Sequence, residues 1–138
     1  MTSERYLEMA RRWFTEGWRG DLPMAEEIFS ADLRTNGVHV GVAGPAGRIR
    51  ERLAGFPDLS TTIVDMFSCG DKLAVVLIWR GTHTGPYGGV PATGKPVEIR
   101  DQAIWSFRDG QVVGISTLQD QFGLLKQIGY LPHDVRAA

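Results

Sequence analysis

Two aspartates and one histidine, Asp101, Asp120 and His83, are the residues whose types and placement suit acid–base chemistry in this chain. The argument runs through the Asp109-Gly110 pair, a dipeptide tolerant of the positive φ that two-residue hairpins require. If it is the turn between two β runs, Arg108 pairs with Gln111, Phe107 with Val112, Trp105 with Gly114, Ala103 with Ser116 and Asp101 with Leu118. Continuing the alternation puts Asp120 on the same face, diagonal to Asp101 and among Trp79, Trp105 and Phe107. A carboxylate there loses hydration, which raises its pKa, and a second carboxylate nearby raises one of the two further. Such a group can take a proton beside a carbonyl or activate a water, a contribution of roughly 10²–10⁴-fold. Both aspartates also have structural readings. Asp120 precedes Gln121-Phe122-Gly123-Leu124-Leu125 and can cap a helix, and Asp101 can pair with Arg100 or another surface partner. His83 shares a face with Trp79 and stands before a Gly/Pro-rich loop. There it can orient an oxygen or shuttle a proton, or it can hydrogen-bond to loop backbone.

Other chemistries find no support. His39 and His133 have no partner at metal-ligand spacing, so no metal is expected. The glycines between 85 and 94 lack a phosphate-loop lysine followed by Ser or Thr and do not open a helix, so no nucleotide site follows. There is no Gly-x-Ser-x-Gly elbow, and Cys69 has no local base. The aromatics Tyr6, Trp13, Phe14, Trp79, Tyr87 and Trp105 suit a core, and together can line a cavity for a flat apolar ligand. Trp13, Phe14, Trp79, Trp105 and Tyr87, with Asn36 as a polar contact, are the expected substrate-binding residues.

The elements that must hold these residues divide into two halves. Apolar residues recur at helical spacing from Ser3, a candidate N-cap, to Glu16, with Gly17 as a stop. Pro23 can open a short helix carrying Met24, Ile28 and Phe29. Leu33 to Val40 reads as one short irregular strand, and Gly44-Pro45 opens a third helix running to Gly55. Four long β runs follow, Leu59–Cys69, Lys72–Thr84, Val97–Arg108 and Gln111–Gln119, and then a last short helix, Phe122–Ile128. The pattern predicts an α+β domain, a curved antiparallel sheet covered on one face by about three N-terminal helices plus a short C-terminal helix. Residues 1–138 read as a single domain. Alternation in Lys72–Thr84 makes both sheet faces apolar, with Leu73, Val75, Leu77 and Trp79 on one side and Ala74, Val76 and Ile78 on the other. The first expected cover for the outer face is a second copy of the chain, a homodimer, with an extra layer as the alternative.

The 138 residues are 43% hydrophobic and 22% charged, with a formal net charge of −1. That balance suits one globular domain able to build its own core. Arg48, Arg50 and Arg52 are diluted by Glu51, so nucleic acid is not an expected partner. Neither a signal segment nor a membrane span is legible, and the lone cysteine fits a reducing interior, so a cytoplasmic location is expected.

In combination and in this order, several segments resemble the SnoaL-like polyketide cyclase family of the nuclear transport factor 2-like superfamily. They are Gly44-Pro45-Ala46-Gly47, Phe56-Pro57-Asp58-Leu59, Gly70-Asp71-Lys72-Leu73-Ala74-Val75, and Gly81-Thr82-His83-Thr84-Gly85 with Pro91-Ala92-Thr93-Gly94-Lys95. Phe107-Arg108-Asp109-Gly110 follows, leading to Asp120 and Leu124-Leu125-Lys126-Gln127-Ile128-Gly129. The resemblance implies a cone of bent sheet and three helices, commonly dimeric, working without metal or organic cofactor. It also implies that an aspartate at the position of Asp120 abstracts a proton for an intramolecular aldol closure. The histidine such cyclases carry on the preceding strand is matched here by Ala103, a departure from the pattern. Related proteins of the same fold are hydroxylases of anthracycline-type intermediates, steroid isomerases and epoxide hydrolases. The last use an Asp-Arg-Asp set, but Arg100 and Asp101 are adjacent and face opposite ways in a regular strand. The expectation is therefore a cofactor-independent enzyme of secondary metabolism, of the kind used in antibiotic biosynthesis. It would act on a small hydrophobic polyketide-like substrate, with Asp120 as acid/base and Asp101 and His83 assisting. Hydroxylation, isomerisation and epoxide opening are alternatives. A binding module without catalysis is the rival from another class.

Overall fold

The computed structural model describes residues 2–131, and His133 lies outside them. Helix α1 spans Thr2–Thr15 and is followed by a 3₁₀ turn at Gly17–Arg19, α2 at Met24–Ile28 and the hairpin of β1, Phe29–Thr35, and β2, Val38–His39. Helix α3 (Ala43–Gly55), β3 (Ser60–Cys69), β4 (Lys72–Thr82), β5 (Pro96–Arg108), β6 (Gln111–Gln119) and α4 (Gln121–Gln127) complete the order. The six strands form one sheet in the order β2-β1-β6-β5-β4-β3. It is mixed, because β1 runs parallel to β6. The meander β3 to β6 is antiparallel, as expected, and the parallel pair adds β1 to its β6 edge. The irregular strand expected over Leu33–Val40 is a hairpin instead, turned at Asn36 (φ 50°) and Gly37 (φ 83°). Asn-Gly is the standard signal for such a turn. The first helix also starts earlier than expected, which places Ser3 inside it, hydrogen-bonded to Ser68 and not at the cap.

The helices cover one face. Tyr6 of α1 stacks on Phe107 at 3.6 Å between ring centroids, and Phe14 meets Trp105 at 5.1 Å. Trp13 meets Phe29 edge-on at 5.0 Å. Beneath them Leu73, Val75, Leu77 and Trp79 of β4 and Val97, Ile99, Trp105 and Phe107 of β5 are buried. On the opposite face Phe67, Ile104 and Leu118 are exposed.

The decisive irregularity lies between β5 and β6. Arg108 pairs with Gln111 and Phe107 with Val112, as a two-residue Asp-Gly turn dictates, but Ser106 then pairs with Gly114. Val113 is an extra residue, a β-bulge, and every pair beyond it is shifted by one: Trp105 with Ile115, Ala103 with Thr117, Asp101 with Gln119. A one-residue slip exchanges the two faces of a strand. Ile115, Thr117 and Gln119 therefore turn toward the helices, and Leu118, expected opposite Asp101, is 78% exposed.

Helix α3 is pinned over this region at its C-terminus. The Gly55 carbonyl accepts from the backbone N–H of both Thr84 and Gly85 at 3.1 Å. A Cβ on Gly85 would lie 1.9 Å from the Ala54 carbonyl oxygen. Gly85→Ala is therefore expected to cost about 1–3 kcal/mol, the usual penalty of forcing atoms into packed space. Urea denaturation checks this, and an unchanged midpoint would show that the end of α3 is not clamped to β4.

Candidate functional site

Between the helices and the inner sheet face lies a cavity of about 110 Å³. Its walls are apolar: Trp13 and Phe14 from α1, Trp18 from the 3₁₀ turn, Phe29 from β1, and Trp105 and Ile115 from the sheet. A cavity of about 150 Å³ holds one benzene ring, so this smaller one encloses only part of a ring, and the remainder of any ligand extends through the mouth. Polar groups enter from few directions, with Thr35 of β1 among them. Helix α3 contributes Arg48 and Arg52, one turn apart on the face that also carries Ile49, and the β5–β6 ladder contributes Asp101 and Thr117.

Asp101 and Arg52 are 7% and 2% exposed. Arg52 Nη2 lies 3.5 Å from Asp101 Oδ2 and donates a hydrogen bond to the Gln119 side-chain oxygen. The guanidinium carbon stands 4.7 Å from the Trp18 ring centre and 5.4 Å from that of Trp79, so the cation is held between indole faces. On the other side Thr117 Oγ1 is 3.3 Å from Asp101 Oδ1, to which it can donate. Burial pushes the Asp101 carboxyl above its ordinary value, against the opposing pull of Arg52 and the Thr117 hydroxyl. Burial likewise lowers the Arg52 pKa, with Asp101 opposing.

Asp120 is elsewhere. With the bulge in place it follows the inward-facing Gln119, is exposed, and lies beside Arg100, Leu118 and Phe122, away from the cavity. Its Oδ1 accepts from the Gly123 N–H at 2.8 Å, which makes it the N-cap of α4. The expectation that Asp120 shares the helix-covered face with Asp101 is thus corrected, and the cause is the unpaired Val113. His83 is fully buried just past the end of β4, with Nδ1 2.9 Å from Thr93 Oγ1 and its ring against Phe56, and it does not line the cavity. Of the expected substrate-binding residues, Trp13, Phe14 and Trp105 line the cavity. Trp79 lies under Arg52, and Tyr87 packs on Phe56. Asn36 is exposed and ties the β1–β2 turn to β6, accepting from Thr117 N at 3.0 Å and donating to Thr117 O. Among the described residues no group of three His, Cys, Asp or Glu is placed to hold a metal. No helix there is long and apolar enough to cross a membrane.

Sequence reasoning missed Arg52, Thr117, Gln119 and Trp18. A signal existed for Arg52: it follows Ile49 by three residues and so interrupts the buried stripe of α3 with a charge. For Thr117 and Gln119 the signal was indirect, since their orientation follows from the bulge.

A cone of bent sheet closed by helices around a mostly apolar cavity with one buried carboxylate defines an α+β fold of the nuclear transport factor 2-like class. The family profile described as SnoaL-like polyketide cyclase matches residues 8–128, and the chain belongs to that family. Among solved structures it is similar to a proposed SnoaL-like polyketide cyclase from Jannaschia sp. CCS1, at 25% identity over 94% of this chain and 95% of that one, TM-score 0.83. It is also similar to IdmH, a proposed polyketide cyclase from Streptomyces antibioticus, at 28% identity over 90% and 98% of the two chains, TM-score 0.78. A third is AclR, a proposed hydroxylase from Streptomyces galilaeus, at 28% identity over 96% and 83%, TM-score 0.77. Among curated proteins none matches the chain.

Two outcomes follow from the placement of the aspartates. Asp120→Ala should cost about 1 kcal/mol, the worth of a helix cap, readable in thermal denaturation of α4 and the whole domain; no loss would mean the cap does not hold. Asp101 binds its proton more tightly folded than unfolded. Its protonated form therefore favours folding below its ordinary value of 3.8, and that contribution disappears as pH rises through the raised folded value. Denaturation between pH 3.5 and 8 should show the stability of the original protein falling relative to Asp101→Asn as pH rises across that window. A difference that grows with pH would have the wrong sign.

Proposed function

We propose that this protein is a cofactor-independent acid/base enzyme of polyketide-type secondary metabolism, and that Asp101 is the group that moves the proton. The observation that carries the reading is a nearly buried carboxylate facing an aromatic cavity, with its pKa raised by burial and a fixed cation beside it. Raised basicity suits abstraction of a proton α to a carbonyl. In that step the Asp101 carboxylate takes the proton, and the C–H electron pair moves into the carbonyl to give an enolate. The enolate carbon then attacks a second carbonyl of the same substrate in an aldol closure. The protonated Asp101 returns the proton to the new alkoxide. Family membership supports cyclisation. The likeness to AclR supports hydroxylation as the second reading, in the same cavity.

Enzyme-dependent deuterium exchange at the α-carbon of 2-tetralone in D₂O, followed by NMR, tests the assignment. The ketone-bearing ring would enter the cavity in part, with the other ring in the mouth. Asp101→Asn should lower the protein-catalysed rate by about 10²-fold or more, and Asp120→Asn should leave it within about twofold, since a helix cap touches no substrate. The reverse pattern would move the chemistry to Asp120 and contradict this assignment.

Homodimerisation through the outer sheet face is part of the same proposal, supported by Phe67 and Leu118 at 61% and 78% exposure on a face with Val64 and Ile104. Light scattering should give twice the chain mass for the original protein and the chain mass for Leu118→Lys. A monomer at both would remove the dimer.

A further inference from the structure

The buried end of the cavity carries more hydrogen-bond donors than the protein satisfies. Arg52 Nη2 serves Gln119 and faces Asp101, but Nε and Nη1 of the same guanidinium, and Nε1 of Trp18 in the adjoining wall, are buried with no acceptor among the described residues. Tyr87 stands close enough to Arg52 to favour its charged form, by hydrogen bonding as well as by charge, but its oxygen does not meet Nε or Nη1 at full hydrogen-bond geometry. The indoles of Trp18 and Trp79 cover the guanidinium with their faces. An aromatic face attracts the cation without offering a lone pair to its N–H groups.

Asp101 does not complete the pairing. At 3.5 Å its approach to Nη2 is longer than the 2.7–2.9 Å or so of a strong charge-assisted hydrogen bond, and its other oxygen is 3.3 Å from the Thr117 hydroxyl. A buried cation with free donors is costly unless something accepts from them. Both Arg52 and Trp18 line the cavity, so a bound molecule that displaces the side chains covering these nitrogens can supply that acceptor.

We propose that Arg52, with Trp18 Nε1, is a subsite for an anionic oxygen of the ligand, an enolate or a carboxylate carried on a ring small enough to enter the cavity. Arg52 is then the group that receives negative charge, distinct in role from Asp101. If Asp101 is the base, as proposed above, the two act together. The charge lost by Asp101 on protonation reappears on the substrate oxygen beside the same guanidinium, and the buried site keeps its net charge through the step.

Three single-ring probes of similar size test the subsite by titration calorimetry at pH 8: benzoate, the enolate of cyclohexane-1,3-dione, and neutral benzyl alcohol. The original protein should bind at least one of the anions about 10-fold or more tighter than the alcohol, the worth of one hydrogen bond to a charged group. Which anion is preferred separates a carboxylate subsite from an enolate one. Arg52→Gln should abolish the preference, and Asp101→Asn should keep it, because the readout is binding and does not depend on Asp101 as a base. In the original protein the Arg52 Nε–H resonance should shift with the preferred anion and not with benzyl alcohol, a measurement that stands even if Arg52→Gln does not fold. Equal binding of anion and alcohol, binding of neither anion, a preference that survives in Arg52→Gln, or an unmoved Nε–H resonance would each overturn the proposal.

Discussion

The buried ion pair of Arg52 with Asp101 is the interaction around which the cavity end of the fold is arranged. Removing two charges from water costs several kcal/mol per ion even after relaxation, and a 3.5 Å approach recovers only part of that. The surroundings supply a further part, two indole faces on the cation, the Gln119 amide oxygen on Nη2 and the Thr117 hydroxyl on the carboxylate, and leave Nε and Nη1 of Arg52 unpaired. These partners come from three elements, the 3₁₀ turn, β4 and β6. The pair therefore fixes how α3 lies over β5 and β6, and how the 3₁₀ turn at Gly17–Arg19 closes against both.

Such a pair is weak evidence for stability, since a well-packed apolar substitute does as well or better. Its usefulness lies in what burial does to each member. The carboxyl becomes more basic while the cation holds one charge at a fixed point in an otherwise apolar chamber. The rigid aromatic wall of Trp13, Phe14 and Trp105 gives that chamber its shape. The clamp of the Gly55 carbonyl to Thr84 and Gly85 keeps the end of α3 from lifting away.

Much of this architecture was legible in the residues. Helical spacing gave α1 and α3 to within a residue or two, and the Asp109-Gly110 turn located the β5–β6 hairpin and its first two pairs correctly. The alternation of β4 identified its inner face. What failed was the continuation of that hairpin past Phe107. A bulge has no fixed composition; Val113 is an ordinary strand residue, and the one local mark is its neighbour Gly114, since an isolated glycine inside a strand favours a bulge. Because strand periodicity is two, the single extra residue sent Asp120 outward and brought Thr117 and Gln119 inward. Asp101 was identified, but through a pairing with Leu118 that does not exist. The partner of Asp101 was looked for beside it in sequence, at Arg100, and lies on a helix 49 residues earlier, a contact only the tertiary fold creates.

The claim on which the account rests is that Asp101 is a buried carboxyl facing the cavity, made more basic by lost hydration and partly restrained by Arg52. A carbon-13 NMR titration of the Asp101 side-chain carboxyl measures this directly. The account gives a midpoint above the ordinary value of 3.8 in the original protein and a further rise in Arg52→Gln, where the opposing cation is gone. A midpoint at or below 3.8, unmoved by the loss of Arg52, would contradict it.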